Sequence, residues 1–171
     1  GTVNVIVDAI NVGAQSYWNA EATMLLHCRG ALIMTPQGSM LLTGKRALEY
    51  AGSVAAEDNN GIGGYERVMG PNGEAQYFAA DLTAAYRLLF RHLSLTQVAP
   101  GERRPRRLRS LDPVERDVTL SLYGDDGEAE GYRTVGEIFD EATNPGRKRP
   151  FSIRPVMRAV LDQDVEPMER W

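Results

Sequence analysis

The stretch NVGAQSYW, residues 11–18, closes an apolar run built on Val3, Val5, Ile6, Val7, Ile10 and Val12, breaks it with a Gly-Ala pair, and then turns polar and aromatic. A β-branched apolar run bounded by glycine predicts a buried strand over residues 3–12. The residues after it predict a helix over 16–27, with Ser16 at its cap and Ala20, Ala22, Thr23, Met24 and Leu26 available for burial. The pair Gly13-Ala14 between them has two readings. In one it is a strand-to-helix turn in which glycine supplies backbone angles that other residues rarely adopt. In the other, bare amides near a helix N-terminus face a developing negative oxygen, where side chains would only obstruct. The pair alone does not decide between them.

Working outward, residues 31–34 and 40–43 predict a pair of short strands around the turn residues Pro36, Gln37 and Gly38. A helix over 45–50 stops at Gly52, where a left-handed C-cap would fall. Residues 55–73, rich in Asn and Gly, predict a long loop with local turns, of a length more often functional than incidental. Asp81 caps a helix over 82–93 whose Leu82, Ala85, Leu89 and Leu93 share one face, expected against the sheet. The Pro- and Arg-rich residues 98–117 read as a linker, 118–122 as a strand and 124–131 as a mobile acidic loop. Residues 135–141 and 154–161 are helical in pattern, and no internal repeat is visible in the sequence. The fold class expected is α/β.

A chain of 171 residues can bury a real core as one domain, or one domain plus an arm. A net charge of −4 offers no global attraction to nucleic acid or to an anionic membrane, and neither is expected as a partner. No run approaches the roughly 18 apolar residues of a membrane span. With the single cysteine Cys28 no internal disulfide can form, so a reducing, cytoplasmic setting is expected. The chain opens on Gly1 and ends at Trp171 inside an amphipathic pattern, and it is expected to be a segment of something larger.

Several motifs invite chemistry. GIGGY, residues 61–65, lacks the spacing and the strand–helix setting of a dinucleotide fingerprint, which leaves close approach of backbone to a ligand or to another strand. His27 and Cys28 are adjacent, about 100° apart on a helix, and His92 is distant, so no metal is expected. There is no G-x-S-x-G elbow for a serine nucleophile. The pairs Glu57/Asp58 and Asp162/Asp164 read as solvated or capping groups, with nothing nearby to raise a carboxyl pKa. Arg103, Arg104, Arg106, Arg107 and Arg109 read either as a solvated linker or as contacts for a phosphorylated ligand, since arginine forks match phosphate geometry.

In order along the chain come Gly13-Ala14, ALIMTPQGSMLLTGKRAL at 31–48, EDNNGIGGYERVMGPNG at 57–73, the helix DLTAAYRLLFRHL, LDPVERDV at 111–118 and PFSIRPVMRAVLDQD at 150–164. This succession resembles the carboxyltransferase component of biotin-dependent acyl-CoA carboxylases of the acetyl-CoA or propionyl-CoA type, over nearly the whole chain. The combination of LTG, the Gly-Gly about twenty residues later and the DPxxR linker carries the specificity. Between Gly13 and LTG the chain is longer than the usual pattern, and the insert DDGEAEG is unlike the shortest bacterial enzymes, which leaves the acyl chain open.

The resemblance implies a crotonase-like fold of stacked ββα units, two such domains to each carboxyltransferase. Residues 1–98 would be the later part of the acyl-CoA-binding domain, 99–133 an Arg/Pro-rich linker and acidic loop, and 134–171 the helical start of the biotin-handling domain. It implies carboxyl transfer from carboxybiotin to an acyl-CoA, giving malonyl-CoA or a longer homologue, with biotin as the base and backbone amides holding the anionic oxygens. Gly13 and Ala14 are the expected oxyanion contacts, Gly63, Gly64 and Gly44 the expected acyl-CoA-binding positions, and Arg103 and Arg104 candidate contacts for CoA phosphates. Biotin would arrive on a partner, not bound covalently here. The partners implied are the biotin carboxyl carrier, the biotin carboxylase component, the remaining carboxyltransferase segments and further copies in an oligomer; the segment alone is expected to be incomplete. Two rivals stand beside this reading: a crotonase-like acyl-CoA hydratase, isomerase or decarboxylase, which would need a pocket Glu or Asp, and a non-catalytic assembly module of a carboxylase complex.

Overall fold

A computed structural model gives the fold and describes residues 2–22, 30–52, 56–105, 107, 109–124 and 131–170. The expected helix positions 23–27, Cys28, Arg106 and most of the acidic loop lie outside the described residues. The chain divides into two units, the first comprising residues 1–106 and 169–171 and the second residues 107–168.

The apolar run expected as one strand is two, β1 (Asn4–Val7) and β2 (Ile10–Val12), because the chain bends at Asp8 and Ala9. The same happens after Gly30, where β3 (Ala31–Met34) bends through residues 35–38 into β4 (Ser39–Leu41). β3 and β4 are therefore not a hairpin, as a pair around Pro36 would suggest. β3 lies between β1 and β5 (Tyr77–Phe78) in one sheet, while β4 pairs with β2 in another. All three pairings within these sheets are parallel, with Asn4 opposite Ala31, Ile10 opposite Ser39 and Ile33 opposite Tyr77. A central parallel strand is buried on both faces, and this is why ALIM carries no polar residue.

The two bends nest. Thr35 N–H donates to Val7 O at 3.2 Å, Ser39 N–H to Ala9 O at 3.2 Å, and the Thr35 hydroxyl to Asp8 Oδ1 at 2.7 Å. A Cβ on Gly38 would lie 2.1 Å from Val7 O, so only glycine lets the second bend sit on the first. Each bent strand runs into a helix through a glycine with no capping side chain: Gly13 before α1 (Ala14–Ala20) and Gly44 before α2 (Lys45–Tyr50). The strand–bend–strand–glycine–helix unit thus occurs twice, a repeat that the sequence does not display.

α1 is anchored from inside. The buried Asn19 amide donates to Asn11 Oδ1 at 2.7 Å, Asn11 donates to Ala9 O at 2.8 Å, and Ser16 Oγ reaches Asn11 O and Leu41 O, both at 3.0 Å. Residues 55–73 hold more structure than a loop: the single turn α3 (Asn60–Gly63) and a widened turn over Tyr65–Met69 follow one another, since Asn59 and Asn60 carbonyls accept from Gly63 and Gly64. α4 (Leu82–Thr96) is the longest helix described and packs on β3 and β1. Its inner face centres on Ala85, Leu89 and His92, whereas Leu82, expected on the same face, is 43% exposed.

Asp81 caps α4 by accepting from Ala84 N–H at 2.7 Å. Asp81→Ala is expected to lower the stability of unit 1 by about 1 kcal/mol, the usual cost of a lost N-cap, seen as a lower urea midpoint with an unchanged slope.

Unit 2 is built around Tyr123, Tyr132, Val135, Ile138 and Ala159. Val118–Leu120, expected as a strand, forms a tight 3₁₀ turn, because the Asp117 carboxylate captures Thr119 N–H and bends the chain; only Leu122 bridges, antiparallel, to Thr134. A second 3₁₀ turn covers Val135–Ile138, and α5 (Ile153–Val160) supplies Pro155 and Ala159 to the core. The DPVER motif is a clamp. Arg116 holds Asp112 with Nε and Nη2, and turns Nη1 to Ala159 O at 2.9 Å and Nη2 to Leu161 O at 3.2 Å, so it satisfies carbonyls at the end of α5. Asp164 in turn accepts from Ser110 Oγ and Leu111 N–H, a capping role.

These bonds make unit 2 acid-sensitive. The Arg116 guanidinium holds the Asp112 carboxyl below its ordinary range, and the Leu111 amide does the same for Asp164. A depressed folded-state pKa means that the stabilisation is complete above the unfolded value near ~3.9 and is lost as pH falls through the lower folded value. Amide hydrogen exchange in residues 109–124 and 153–164 is therefore expected to accelerate on the acid side of that value, and Asp112→Asn should flatten this dependence.

Candidate functional site

The candidate residues fall in three places on unit 1, and β4 links two of them. At the end of β2, Gly13 takes φ +65°, a left-handed value that favours glycine, and its N–H donates to Leu41 O at 2.8 Å. The expectation that Gly13 itself offers an amide to a ligand is thereby corrected: that donor is used to join β2 to β4. Ala14 N–H, at the first position of α1, meets no acceptor among the described residues. Beside it the surface is apolar and aromatic, with Ile10, Val12, Tyr17, Trp18 and Leu42 all about half exposed or more.

Gly63 and Gly64 lie on the other side of β4. Their N–H groups donate to Asn59 O at 3.0 Å and Asn60 O at 2.8 Å, so these two amides are engaged within the turn. Of the two readings left open for GIGGY, the structure realises approach to another strand. A Cβ on Gly63 would stand 1.9 Å from Met40 O, and Gly64 bridges antiparallel to Ser39.

Gly64 also lines a cleft of about 310 Å³ with Thr35, Glu57, Asp58, Tyr65 and Phe78. The Tyr65 and Phe78 rings stack at 4.8 Å along one wall. Gly44 opens a neighbouring cleft that shares Glu57 and Asp58, and Asn59 Oδ1 joins the two by accepting Lys45 N–H at 3.1 Å. Lys45 pairs with Glu49 on the outer face of α2. The structure therefore brings Gly44, Gly63 and Gly64 together around residues 57–60, and ties Gly13 to them through β4.

Arg103 and Arg104 belong elsewhere. They line a separate cavity beside the last turn of α4, together with Arg170. His92, the distant candidate ligand, is buried and shares a hydrogen bond with the Tyr77 hydroxyl through Nδ1 at 3.2 Å, while burial pushes the Tyr77 phenol upward. No group of three or more His, Cys, Asp or Glu side chains among the described residues could hold a metal ion. No helix of the described residues is long and apolar enough to cross a membrane.

Sequence reasoning missed the nesting of the two bends and the part played by Asn59. A signal for the first was present: Asp8 is a turn-forming residue set inside an otherwise apolar run. No protein-family model matches the chain, and no curated protein matches it either.

Proposed function

We propose that the chain is part of a carboxyltransferase of crotonase-like architecture that moves a carboxyl group to an acyl-CoA within a biotin-dependent carboxylase. The observation that carries this reading is the twice-occurring parallel strand–bend–strand–glycine–helix unit, whose first copy ends at Gly13 in a left-handed turn followed by an unaccepted amide. Stacked units of this kind suit an enolate chemistry, in which a thioester oxygen gains negative charge and preorganised backbone N–H groups hold it without moving.

Ala14 N–H takes the oxyanion role in this reading, and Gly13 takes the role of shaping the turn that leaves it available. Gly63 and Gly64 support the wall from behind by letting α3 close on β4, and Gly44 borders it. The exposed apolar residues beside the turn, Tyr17 and Trp18 among them, would exclude water from the thioester once covered by a partner segment. Carboxybiotin enters as a substrate carried by another component, and it would supply the carboxyl group and a base for the α-proton.

The test is transfer of labelled carboxyl from malonyl-CoA to free biotin by the complete carboxylase that contains this segment. Transfer that disappears when Ala14 is replaced by proline, which has no N–H, would support the role. Unchanged transfer would overturn it. Hydration of an enoyl-CoA by the same protein, in place of transfer, would favour the hydratase alternative instead.

A further inference from the structure

The cleft of about 310 Å³ on the Gly64 side of β4 has no part in the carboxyl-transfer reading, which works from Ala14. One wall is aromatic: the Tyr65 and Phe78 rings lie 4.8 Å apart with 29° between their planes, and Phe78 is still 39% exposed. The rest is acidic. Glu57, Asp58 and Glu66 line the cleft with Arg67 as its single cation, a net of two negative charges. Asp58 gives one oxygen to Gly61 N–H at 2.7 Å. Neither the three carboxylates nor Arg67 enter an ion pair among the described residues.

A simpler use for the rings would be to fasten the Tyr65–Met69 turn onto β5, with the carboxylates merely solvated. That use explains the stacking but not why the wall it makes opens into a cavity whose other charges are mostly of one sign. A metal ion does not fit, since no three acidic, His or Cys side chains among the described residues are grouped to hold one. An anion would meet the carboxylates. An organic cation meets both walls favourably, and a flat one most of all: a guanidinium stacks on an aromatic face while its N–H fork matches carboxylate oxygens. The volume, at the small end of ligand sites, suits such a group on a short stem.

We propose that this cleft binds a guanidinium group on a short alkyl stem, its plane against Tyr65 and Phe78 and its N–H groups on Glu57 and Glu66. The inference needs only the cleft, its rings and its charges, and stands without the carboxyl-transfer reading. It also takes the cleft out of the acyl-CoA surface expected around Gly64, because the same carboxylates repel CoA phosphates. Such a cation has two sources, a free guanidino compound or an arginine side chain of a peptide.

Titration of ¹⁵N-labelled full chain, read at the amides of Gly61, Gly64 and Tyr65, tests it with butylguanidine, butylurea and the peptide acetyl-Gly-Arg-Gly-amide. Butylguanidine is expected to shift these amides and to bind at least about fivefold more tightly than butylurea, which has nearly the same shape without the charge. The double variant Glu57→Gln/Glu66→Gln and the variant Phe78→Leu should each weaken it by about threefold or more, one through charge and the other through the ring. All three side chains are exposed, so the remaining amide signals should keep their positions. Tighter binding of the peptide than of butylguanidine would identify a peptide arginine as the ligand, and equal or weaker binding a free compound. Amides left unshifted, butylurea bound as tightly, an affinity unmoved in either variant, or the same amides shifted as strongly by coenzyme A would each overturn the proposal. None of these failures touches malonyl-CoA-dependent carboxyl transfer, which is read separately.

Discussion

Gly63→Ala is expected to lower the stability of unit 1 by about 3 kcal/mol, at the upper end of the range for overpacking. The added Cβ would stand 1.9 Å from Met40 O, 2.8 Å from Met40 C and 2.9 Å from Leu41 Cδ2. Two of these atoms are backbone of β4, which is held by its ladder to β2, so the strand cannot yield without losing those bonds. Gly44→Ala is the control. Its Cβ would find nothing nearer than Asn59 Oδ1 at 3.9 Å, and the residue already has φ −73°, which any residue adopts. Urea unfolding of the two variants should separate them clearly; equal midpoints would show that close approach to β4 is not what requires glycine at 63.

Gly13→Val should act on turnover rather than on packing. A Cβ at Gly13 would meet only Leu42 O, at 4.0 Å, so there is space for it. The cost is conformational: φ +65° in a β-branched residue is worth about 1–2 kcal/mol. The chain would relieve that strain by rotating the peptide into α1, which moves Ala14 N–H from its position. If that amide holds the thioester oxygen, carboxyl transfer in the complete carboxylase falls by about 10²-fold, the scale for one lost oxyanion donor. The loss should fall on kcat more than on KM, because the donor matters most when charge has developed. Wild-type turnover in a folded Gly13→Val protein would remove the site from consideration.

Much of the fold was legible where one residue type has one physical use. Asp81 announced the start of α4 because a carboxylate there has amides to accept from, and Gly52, at φ +78°, ended α2 where a left-handed residue was needed. What stayed hidden was pairing. ALIM and SML are equally consistent with a hairpin and with two sheets, and only the register of β1 against β3 and of β2 against β4 separates them. The site was half legible for the same reason. Gly13, Gly63 and Gly64 stood out as glycines, but whether a glycine serves a ligand or a neighbouring strand depends on residues more than 20 positions away, such as Leu41 for Gly13 and Met40 for Gly63. Arg116 was read as part of a linker, and its two carbonyl partners at the end of α5 lie 43 and 45 residues further on.

The parallel pairing of the bent strands also governs how unit 1 can assemble. Among the described residues no strand pairs with its neighbour in sequence: Asn4 and Ala31 are 27 residues apart, and the Gln76 side chain that caps Leu32 N–H comes 44 residues after it. Loop-closure entropy must therefore be met before any ladder forms, and β1 and β2 wait unpaired until β3 and β4 are available. A chain emerging from the ribosome carries VNVIVDAINV as an open, β-branched ribbon through that interval, the kind of segment that joins strands of other chains. Slow refolding and aggregation that grows with protein concentration are the expected consequence of such non-local parallel pairing.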